Sequence, residues 1–311
     1  MRAVLFSEYG PPGVLRVADV PRPHAGPGEI RVVVRASGVS PGEVRVRSGA
    51  LRDAFPAAFP FRTGYDAAGV VDEVGEGVSG VEVGDEVFGA TAVAHRGSNA
   101  DHVVFAVWAP KPAAWSWEEA AGATGGVETG FRVLDRLGVS EGHTVLVNGA
   151  AGGTGSIGVQ LAVARGARVI GTASAGNHDF LRSLGAEPTT YGPGLADRVH
   201  ALAPSGVDAV YDCAGGPLPD LVAIAGDASR VVTVADLNAA AHGVHMSHTT
   251  AGIEASPPDP QALHGLPIAA ALAAQGRLRI PLAGVFDLTD VASAHALSET
   301  GHARGKIVLH H

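Results

Sequence analysis

The chain has 311 residues, of which 46% are hydrophobic and 17% charged, and its formal net charge is −9. This length suits two packed domains, and no apolar stretch approaches the ~20 residues of a membrane-spanning helix, so a membrane partner is not expected. The acidic balance offers no basic stripe to a polyanion, which argues against nucleic acid, and the absence of a basic and apolar leader predicts a cytoplasmic protein.

The first third of the chain predicts a β-rich domain. Valine-rich runs such as EIRVVVRASGV (29–39) and ADHVVFAVWAP (100–110) are broken every few residues by Gly and Pro. This pattern is typical of short strands joined by tight turns. A helix follows, because Ser116 and Glu119 have the three-residue spacing of a capping box.

From Thr144 onward, strand-like and helical segments alternate, beginning with TVLVNGA (144–150), a helix from about Thr154 to Arg165, and ARVIGTA (167–173). Parallel strands need crossover helices, so the alternation predicts a doubly wound, Rossmann-type parallel sheet and an α/β protein. The tail returns to strand, helix and strand. We expect a β-rich catalytic domain at 1–115 and 275–311 and a dinucleotide-binding domain at 116–274.

A glycine-rich turn follows the strand at 144–150. It places Ala150, Gly152 and Gly155 in a variant of the G-x-G-x-x-G pattern, with alanine in the first position. Small residues allow a tight turn and let backbone N–H groups reach a pyrophosphate, while the helix N-terminus adds partial positive charge. The strand, turn and helix context supports a dinucleotide site over a simple loop closure.

The next strand ends without the acidic residue that accepts hydrogen bonds from the ribose of NAD. Thr172, Ala173 and Ser174 occupy that region, so no carboxylate there repels a 2′-phosphate. Ser174, His178 and Arg182 could donate hydrogen bonds to such a phosphate, which favours NADPH over NADH. Alternatively, Ser174 and His178 only cap the helix that begins near Asn177.

The motifs together resemble the zinc-independent quinone oxidoreductases, the ζ-crystallin-like branch of the medium-chain dehydrogenase/reductase superfamily. Three segments carry the resemblance: GYDAAGVVDEVGEGVSGVEVGDEVFG (64–89), NGAAGGTGSIG (148–158) and ARGKIVLH (303–310). The resemblance implies a GroES-like catalytic domain, a Rossmann domain and an active site in the cleft between them.

The resemblance also implies roles for cofactor-binding residues. Thr129 matches a threonine near the nicotinamide, and the pyrophosphate loop corresponds to Gly152, Gly153 and Thr154. The surroundings of the 2′-phosphate correspond to Ser174, His178 and Tyr191. The family often has lysine at the position of His178, so we expect NADPH affinity to weaken as pH rises past the ordinary histidine pKa of ~6.5.

On the substrate side the sequence departs from the family. Zinc alcohol dehydrogenases have metal ligands where this chain has Ser40, Tyr65 and a residue near Gly125, and the only cysteine is Cys213, so no catalytic zinc is expected. Arg45 stands where quinone oxidoreductases usually have tyrosine, and a second tyrosine near Leu51 is also missing. We expect Ser40, Arg45 and Tyr65 to orient the acceptor; alternatively, Arg45 pairs with Glu43 or Asp66.

The expected activity is hydride transfer from NADPH to a quinone or a related conjugated carbonyl, without metal. Two alternatives remain: an enoyl or enone C=C reductase of a biosynthetic pathway, and a non-catalytic NADPH-binding redox sensor. The segment HGVHMSH spaces His242, His245 and His248 three apart, a spacing that suits an edge element better than a metal site. By resemblance, GVHMSHTT (243–250) would join two Rossmann sheets in a homodimer.

Overall fold

The computed structural model describes residues 1–91, 97–216, 218–249 and 256–311, so residue 250 of the segment expected at a dimer contact lies outside the described residues. The chain forms two compact units, one of Met1–Gly125 with Leu263–His311 and the other of Gly126–Ala262. The boundaries expected from the sequence, 116 and 274, lie a short distance outside those of the second unit.

The part of the first unit that precedes residue 126 consists of short strands and one short helix, followed by the start of a long helix. In chain order these elements are β1 (Arg2–Phe6), β2 (Arg16–Asp19), β3 (Ile30–Val39), α1 (Pro41–Ser48), β4 (Phe61–Arg62), β5 (Asp66–Val74), β6 (Glu86–Ala90), β7 (His102–Phe105), β8 (Val107–Pro110) and α2 (Trp117–Arg136). The boundary between the units falls inside α2.

The predicted capping box is present at the start of α2. The Ser116 side chain accepts the Glu119 N–H at 3.1 Å, and the Glu119 carboxylate accepts the Ser116 N–H at 2.9 Å. These bonds satisfy two N–H groups that a helix N-terminus otherwise leaves without partners. Local chemistry therefore fixes where α2 begins.

The second unit alternates strands and helices, as the sequence predicts. Its elements are β9 (Thr144–Asn148), α3 (Gly153–Ala164), β10 (Arg168–Thr172), α4 (His178–Ser183), β11 (Ala186–Thr189), α5 (Leu195–Leu202), β12 (Ala209–Asp212), α6 (Leu218–Ala225), β13 (Val231–Thr233) and β14 (His245–Met246). The six strands form one parallel sheet in the order β11-β10-β9-β12-β13-β14. The α/β class and the Rossmann-type sheet are confirmed.

The C-terminal segment completes the first unit with α7 (Gly265–Ala274), β15 (Leu282–Asp287), α8 (Val291–Glu299) and β16 (Lys306–His310). Strand β16 pairs with β3, so the largest sheet has the order β15-β16-β3-β5-β6-β8, with β7 also paired to β3. Its buried face holds Ile30, Val32, Val71 and Phe105. The β-rich domain is thus built from both ends of the chain.

One of the three spaced histidines lies in the edge strand of the parallel sheet, as expected. His245 is in β14, the outermost strand, and its Nε2 lies 3.0 Å from an Asp259 carboxylate oxygen. The Nε2 of His248 lies 2.8 Å from the Ser256 carbonyl oxygen. Two of the three imidazoles therefore make protein contacts at this edge.

In the part of the chain that the structure describes, no helix combines the length and the apolar character needed to cross a bilayer.

Candidate active site and cofactor site

The glycine-rich turn has the geometry expected of a phosphate cradle. Strand β9 is fully buried from Val145 to Val147, Gly149 then takes a positive φ of 75°, and Gly152 is the N-cap of the twelve-residue helix α3. The first N–H groups of a helix have no acceptors within it, and its N-terminus carries partial positive charge. The turn therefore presents donors to an anion.

Gly155 holds the turn close to α3. A Cβ at this position would lie 2.3 Å from the Gly149 carbonyl oxygen and 2.9 Å from the Ala150 Cα. Both are backbone atoms that cannot rotate away. Ala150 is itself fully buried, and its N–H donates to the Thr172 carbonyl at 3.0 Å, so only a small residue fits in either place.

A belt of buried polar side chains crosses the carboxyl edge of the parallel sheet behind this turn. The Thr172 hydroxyl donates to the Asn148 amide oxygen at 2.7 Å, and the Asn148 amide nitrogen donates to Asp212 at 2.8 Å. The Thr233 hydroxyl donates to the other Asp212 oxygen at 2.6 Å. Each of these four residues ends its strand, a signal that the motif search did not use.

The region beyond β10 contains the residues expected around a 2′-phosphate. Ser174 is exposed and its Oγ accepts the Asn177 side-chain amide at 3.2 Å. Neither of these two side chains makes a capping hydrogen bond to the helical segment that follows it, so the capping alternative is wrong for Ser174. The Nε2 of His178 is enclosed and has no hydrogen-bond partner among the described residues, and Arg182 is paired with Asp179 at 2.6 Å.

Tyr191 lies in a loop after β11, and its side chain is 59% exposed. Arg198, from α5, donates to the Thr190 carbonyl at 2.9 Å and the Pro193 carbonyl at 2.8 Å. One guanidinium therefore closes the loop that carries Tyr191. Sequence analysis did not single out Arg198, because carbonyl acceptors leave no sequence signature.

Thr129, on the second-unit part of α2, is held by a pair of charged neighbours. Its hydroxyl lies 3.4 Å from the Glu128 carboxylate and 3.3 Å from the Arg132 guanidinium. The two partners also form a buried ion pair at 2.9 Å. The side-chain direction of Thr129 is thus set by an ion pair on the same helix.

In the first unit, Ser40 and Arg45 lie on α1 in different roles. Ser40 is the N-cap, and it forms a capping box with Glu43, whose N–H it accepts at 3.3 Å and whose carboxylate accepts the Ser40 N–H at 3.0 Å. Arg45 lies on the exposed face of the helix. Tyr65 is half-buried immediately before β5.

Glu43 connects the segments that carry these candidate residues. It is only 2% exposed, and its second carboxylate oxygen accepts the N–H of Gly64, the neighbour of Tyr65. Gly64 has a φ of 97°, and a Cβ there would lie 2.3 Å from the Asn99 backbone nitrogen. The segments that carry Ser40 and Tyr65 therefore meet through a buried carboxylate at a position that admits only glycine.

Comparison with known proteins identifies the family. The model of the alcohol dehydrogenase GroES-like domain matches residues 26–133, and that of the zinc-binding dehydrogenases matches residues 184–309. A 2-methylene-furan-3-one reductase of Solanum lycopersicum is 30% identical across the whole chain, which spans 79% of that protein. The chain belongs to the medium-chain dehydrogenase/reductase superfamily.

Two further relatives refine the position of this medium-chain dehydrogenase/reductase. An NADPH-dependent alkenal/one oxidoreductase of Arabidopsis thaliana is 29% identical over the whole chain and 79% of its own length. The quinone oxidoreductase structure from Coxiella burnetii superposes with a TM-score of 0.83 at 29% identity, covering 100% of this chain and 99% of that one. The protein is an enzyme of the quinone oxidoreductase-like type.

Members of the superfamily bind a nicotinamide cofactor, and the turn of this medium-chain dehydrogenase/reductase fits one. A Cβ at Gly152 would make only one ordinary van der Waals contact beyond its chain neighbours, with the Gly149 carbonyl oxygen at 3.4 Å. The residues that would hold the diphosphate are Gly152, Gly153 and Thr154 at the start of α3. Small side chains there allow close approach of the backbone.

The residues expected at the zinc-ligand positions of alcohol dehydrogenases make other contacts in this medium-chain dehydrogenase/reductase. Ser40 caps α1, and Gly125 donates its N–H to the buried Asp66 carboxylate at 2.9 Å. A Cβ at Gly125 would lie 2.7 Å from that carboxylate. Within the described residues, no group of three His, Cys, Asp or Glu side chains is arranged to hold a metal ion.

Proposed function

We propose that the protein is an NADPH-dependent, zinc-independent reductase that delivers hydride to a quinone or a related conjugated carbonyl. The observation that carries the cofactor half is the glycine turn, where Gly152 caps α3 and brings no side chain to the N-terminus of that helix. The reduced nicotinamide cofactor supplies the hydride when it is bound. The protein's own groups bind the diphosphate, orient the acceptor and exclude water.

The preference for NADPH is supported by the residues after β10. An acidic residue there would repel a 2′-phosphate and accept bonds from a ribose hydroxyl, and this chain has Thr172, Ala173 and the exposed Ser174 instead. The exposed Tyr191 ring lies on the loop that Arg198 closes. His178 would add positive charge when it is protonated.

On the acceptor side, Tyr65 supplies an O–H donor at a position where zinc alcohol dehydrogenases have a ligand. Arg45 adds a planar set of N–H donors on the exposed face of α1, suited to a carbonyl, phenolate or carboxylate oxygen. Hydride addition to a conjugated acceptor needs orientation and a proton more than a Lewis acid. Ser40, Arg45 and Tyr65 are therefore the proposed orienting residues.

A second candidate is reduction of the C=C bond of an enone or enal. The relatives from Solanum lycopersicum and Arabidopsis thaliana are described as a 2-methylene-furan-3-one reductase and an alkenal/one oxidoreductase. Arg45 replaces one of the aromatic residues that border a planar quinone in the family. Both features favour a smaller conjugated carbonyl compound as the alternative substrate to a quinone.

The test is oxidation of NADPH, with NADH as control, against p-quinones, o-quinones, 2-enals, enones and enoyl thioesters. Turnover on quinones supports the first proposal, and turnover confined to enals, enones or thioesters supports the second. Binding of NADPH with no turnover on any acceptor would contradict both and leave a redox sensor. Metal analysis and activity in the presence of a chelator test zinc independence.

We also propose a cytoplasmic homodimer. The support for the dimer is the position of β14, the last strand of the parallel sheet within the described residues, because an edge strand is where a second copy can be added. Sedimentation equilibrium measures the oligomeric state directly. A monomer at all concentrations would contradict the proposed dimer.

A further inference from the structure

The cofactor turn is anchored at its first residue by a side chain from the neighbouring strand. The N–H of Gly149 donates to the Thr172 hydroxyl oxygen at 3.0 Å, and the Thr172 carbonyl accepts the next N–H, that of Ala150, at 3.0 Å. Thr172 is the last residue of β10 and is fully buried. The strand end of β10 therefore holds both residues with which the turn begins.

The hydroxyl of Thr172 is itself fixed in direction. It donates its proton to the Asn148 amide oxygen at 2.7 Å, so its lone pairs are left to accept the Gly149 N–H. The Asn148 amide is oriented in turn, because its nitrogen donates to Asp212 at 2.8 Å. A threonine hydroxyl rotates to suit its partners, and here the acceptor at Asn148 selects one rotation.

Asp212 is the fixed end of this chain of bonds. Its carboxylate is fully buried and accepts from Asn148, from the Thr233 hydroxyl at 2.6 Å and from the N–H groups of Ala214 and Gly215, both at 3.0 Å. Four donors satisfy the buried charge without a cation. The orientation of Asn148 is therefore determined by a carboxylate that has no freedom to turn.

We propose that Thr172 is a positioning residue for the cofactor turn, acting through the chain of bonds from Asp212 through Asn148 to the Gly149 N–H. The inference rests on the proposed NADPH site. Gly149 has a φ of 75°, and a Cβ there would lie 2.9 Å from the Ala214 Cβ. The turn is thus built on glycine and needs an external bond to select one conformation.

Two substitutions at one position separate this role from packing. Thr172→Val keeps the branched shape and removes both hydrogen bonds of the hydroxyl, whereas Thr172→Ser keeps both bonds and removes a methyl group. We expect NADPH binding, measured by nucleotide fluorescence, to weaken about tenfold in Thr172→Val, which corresponds to about 1.4 kcal/mol. Thr172→Ser should bind NADPH within about twofold of the wild type.

Amide hydrogen exchange in the cofactor-free protein provides a second readout. The amides of residues 149–152 should exchange faster in Thr172→Val than in the wild type or in Thr172→Ser, while the amides of β12 and α5 stay protected. Uniformly faster exchange, or equal loss of NADPH affinity in both variants, would assign Thr172 to packing and overturn the inference. Unchanged exchange at the turn in Thr172→Val would also overturn it.

The two proposals can fail separately. If the wild type binds no NADPH, the proposed function is wrong, and hydrogen exchange at residues 149–152 still decides whether Thr172 holds the turn. If the wild type binds NADPH and Thr172→Val binds it equally well, the proposed function stands and the positioning role is wrong. Folding of each variant is checked by far-ultraviolet circular dichroism before either measurement.

Discussion

Alanine substitutions at two glycines of the cofactor turn should separate folding from binding. At Gly155 a Cβ would lie 2.3 Å from the Gly149 carbonyl oxygen and 3.0 Å from its carbon. The backbone would have to move, and overpacking of this kind costs about 1–3 kcal/mol. At Gly152 the φ is −73° and the nearest atom would be 3.4 Å away, so Gly152→Ala should fold within about 0.5 kcal/mol of the wild type.

For NADPH affinity we expect the reverse order, with a larger loss in Gly152→Ala than in Gly155→Ala. The methyl group of Gly152→Ala would be added at the N-cap of α3, where the backbone has to approach the diphosphate. We expect NADPH affinity to fall by at least about tenfold, or about 1.4 kcal/mol. Gly155→Ala should mainly lose folding stability. Its NADPH affinity should fall only to the extent that the turn is displaced.

Urea unfolding and NADPH fluorescence titration measure the two effects on the same samples. Gly13→Ala is the control, because a Cβ at Gly13 would meet no atom within 4 Å and this glycine is in the other unit. Unchanged NADPH affinity in Gly152→Ala would show that the diphosphate does not bind at this turn. Wild-type stability in Gly155→Ala would refute the packing argument.

Three other substitutions test the first unit. Burial, and to a smaller extent the charge of Arg47, lower the pKa of His295 from 6.5 to about 4. The unfolded chain therefore binds the proton more tightly, and folding stability is lost as pH falls from 6.5 to about 4. In His295→Leu, the slope of the urea-unfolding free energy against pH in this interval should be smaller by about 1.4 kcal/mol per pH unit. Tyr65→Phe should lower kcat/KM for the acceptor about tenfold in steady-state assays, with unchanged NADPH affinity. Unchanged kinetics would show that the Tyr65 hydroxyl does not orient the acceptor. Glu43→Ala removes the acceptor of two N–H groups and should destabilise the fold by about 1–3 kcal/mol. Its melting temperature should fall further than that of Ser48→Ala, a substitution on the exposed face of the same helix.

Local sequence signals correctly predicted the start of α2 and the turn before α3. The capping box at Ser116 and Glu119 and the turn before α3 were predictable because each depends on residues within a few positions of one another. Helix α3, at Gly153–Ala164, begins and ends within one residue of the helix expected from about Thr154 to Arg165. Such features require no knowledge of which distant segments meet.

The surroundings of Ser40 and Tyr65 were predicted less completely, because their geometry depends on contacts between distant segments. The capping box of Ser40 and Glu43 was not predicted, and the second bond of Glu43, to the Gly64 N–H, spans 21 positions. Backbone donors carry no side-chain signature, so the pairing of Glu43 with this N–H could not be found by motif. The position of Arg198 under the Tyr191 loop escaped notice for the same reason.

The polar belt at the sheet edge was within reach of sequence reasoning. Asn148, Thr172, Asp212 and Thr233 each end an apolar strand, and the carboxyl ends of parallel strands lie along one edge of a sheet. Polar residues that close four apolar runs of one parallel sheet therefore predict side chains that meet. The order β10-β9-β12-β13 then determines the pairs, since each hydrogen bond joins neighbouring strands. Once the strand order is known, the polar residues at the strand ends are expected to form a hydrogen-bonded network behind the proposed cofactor turn.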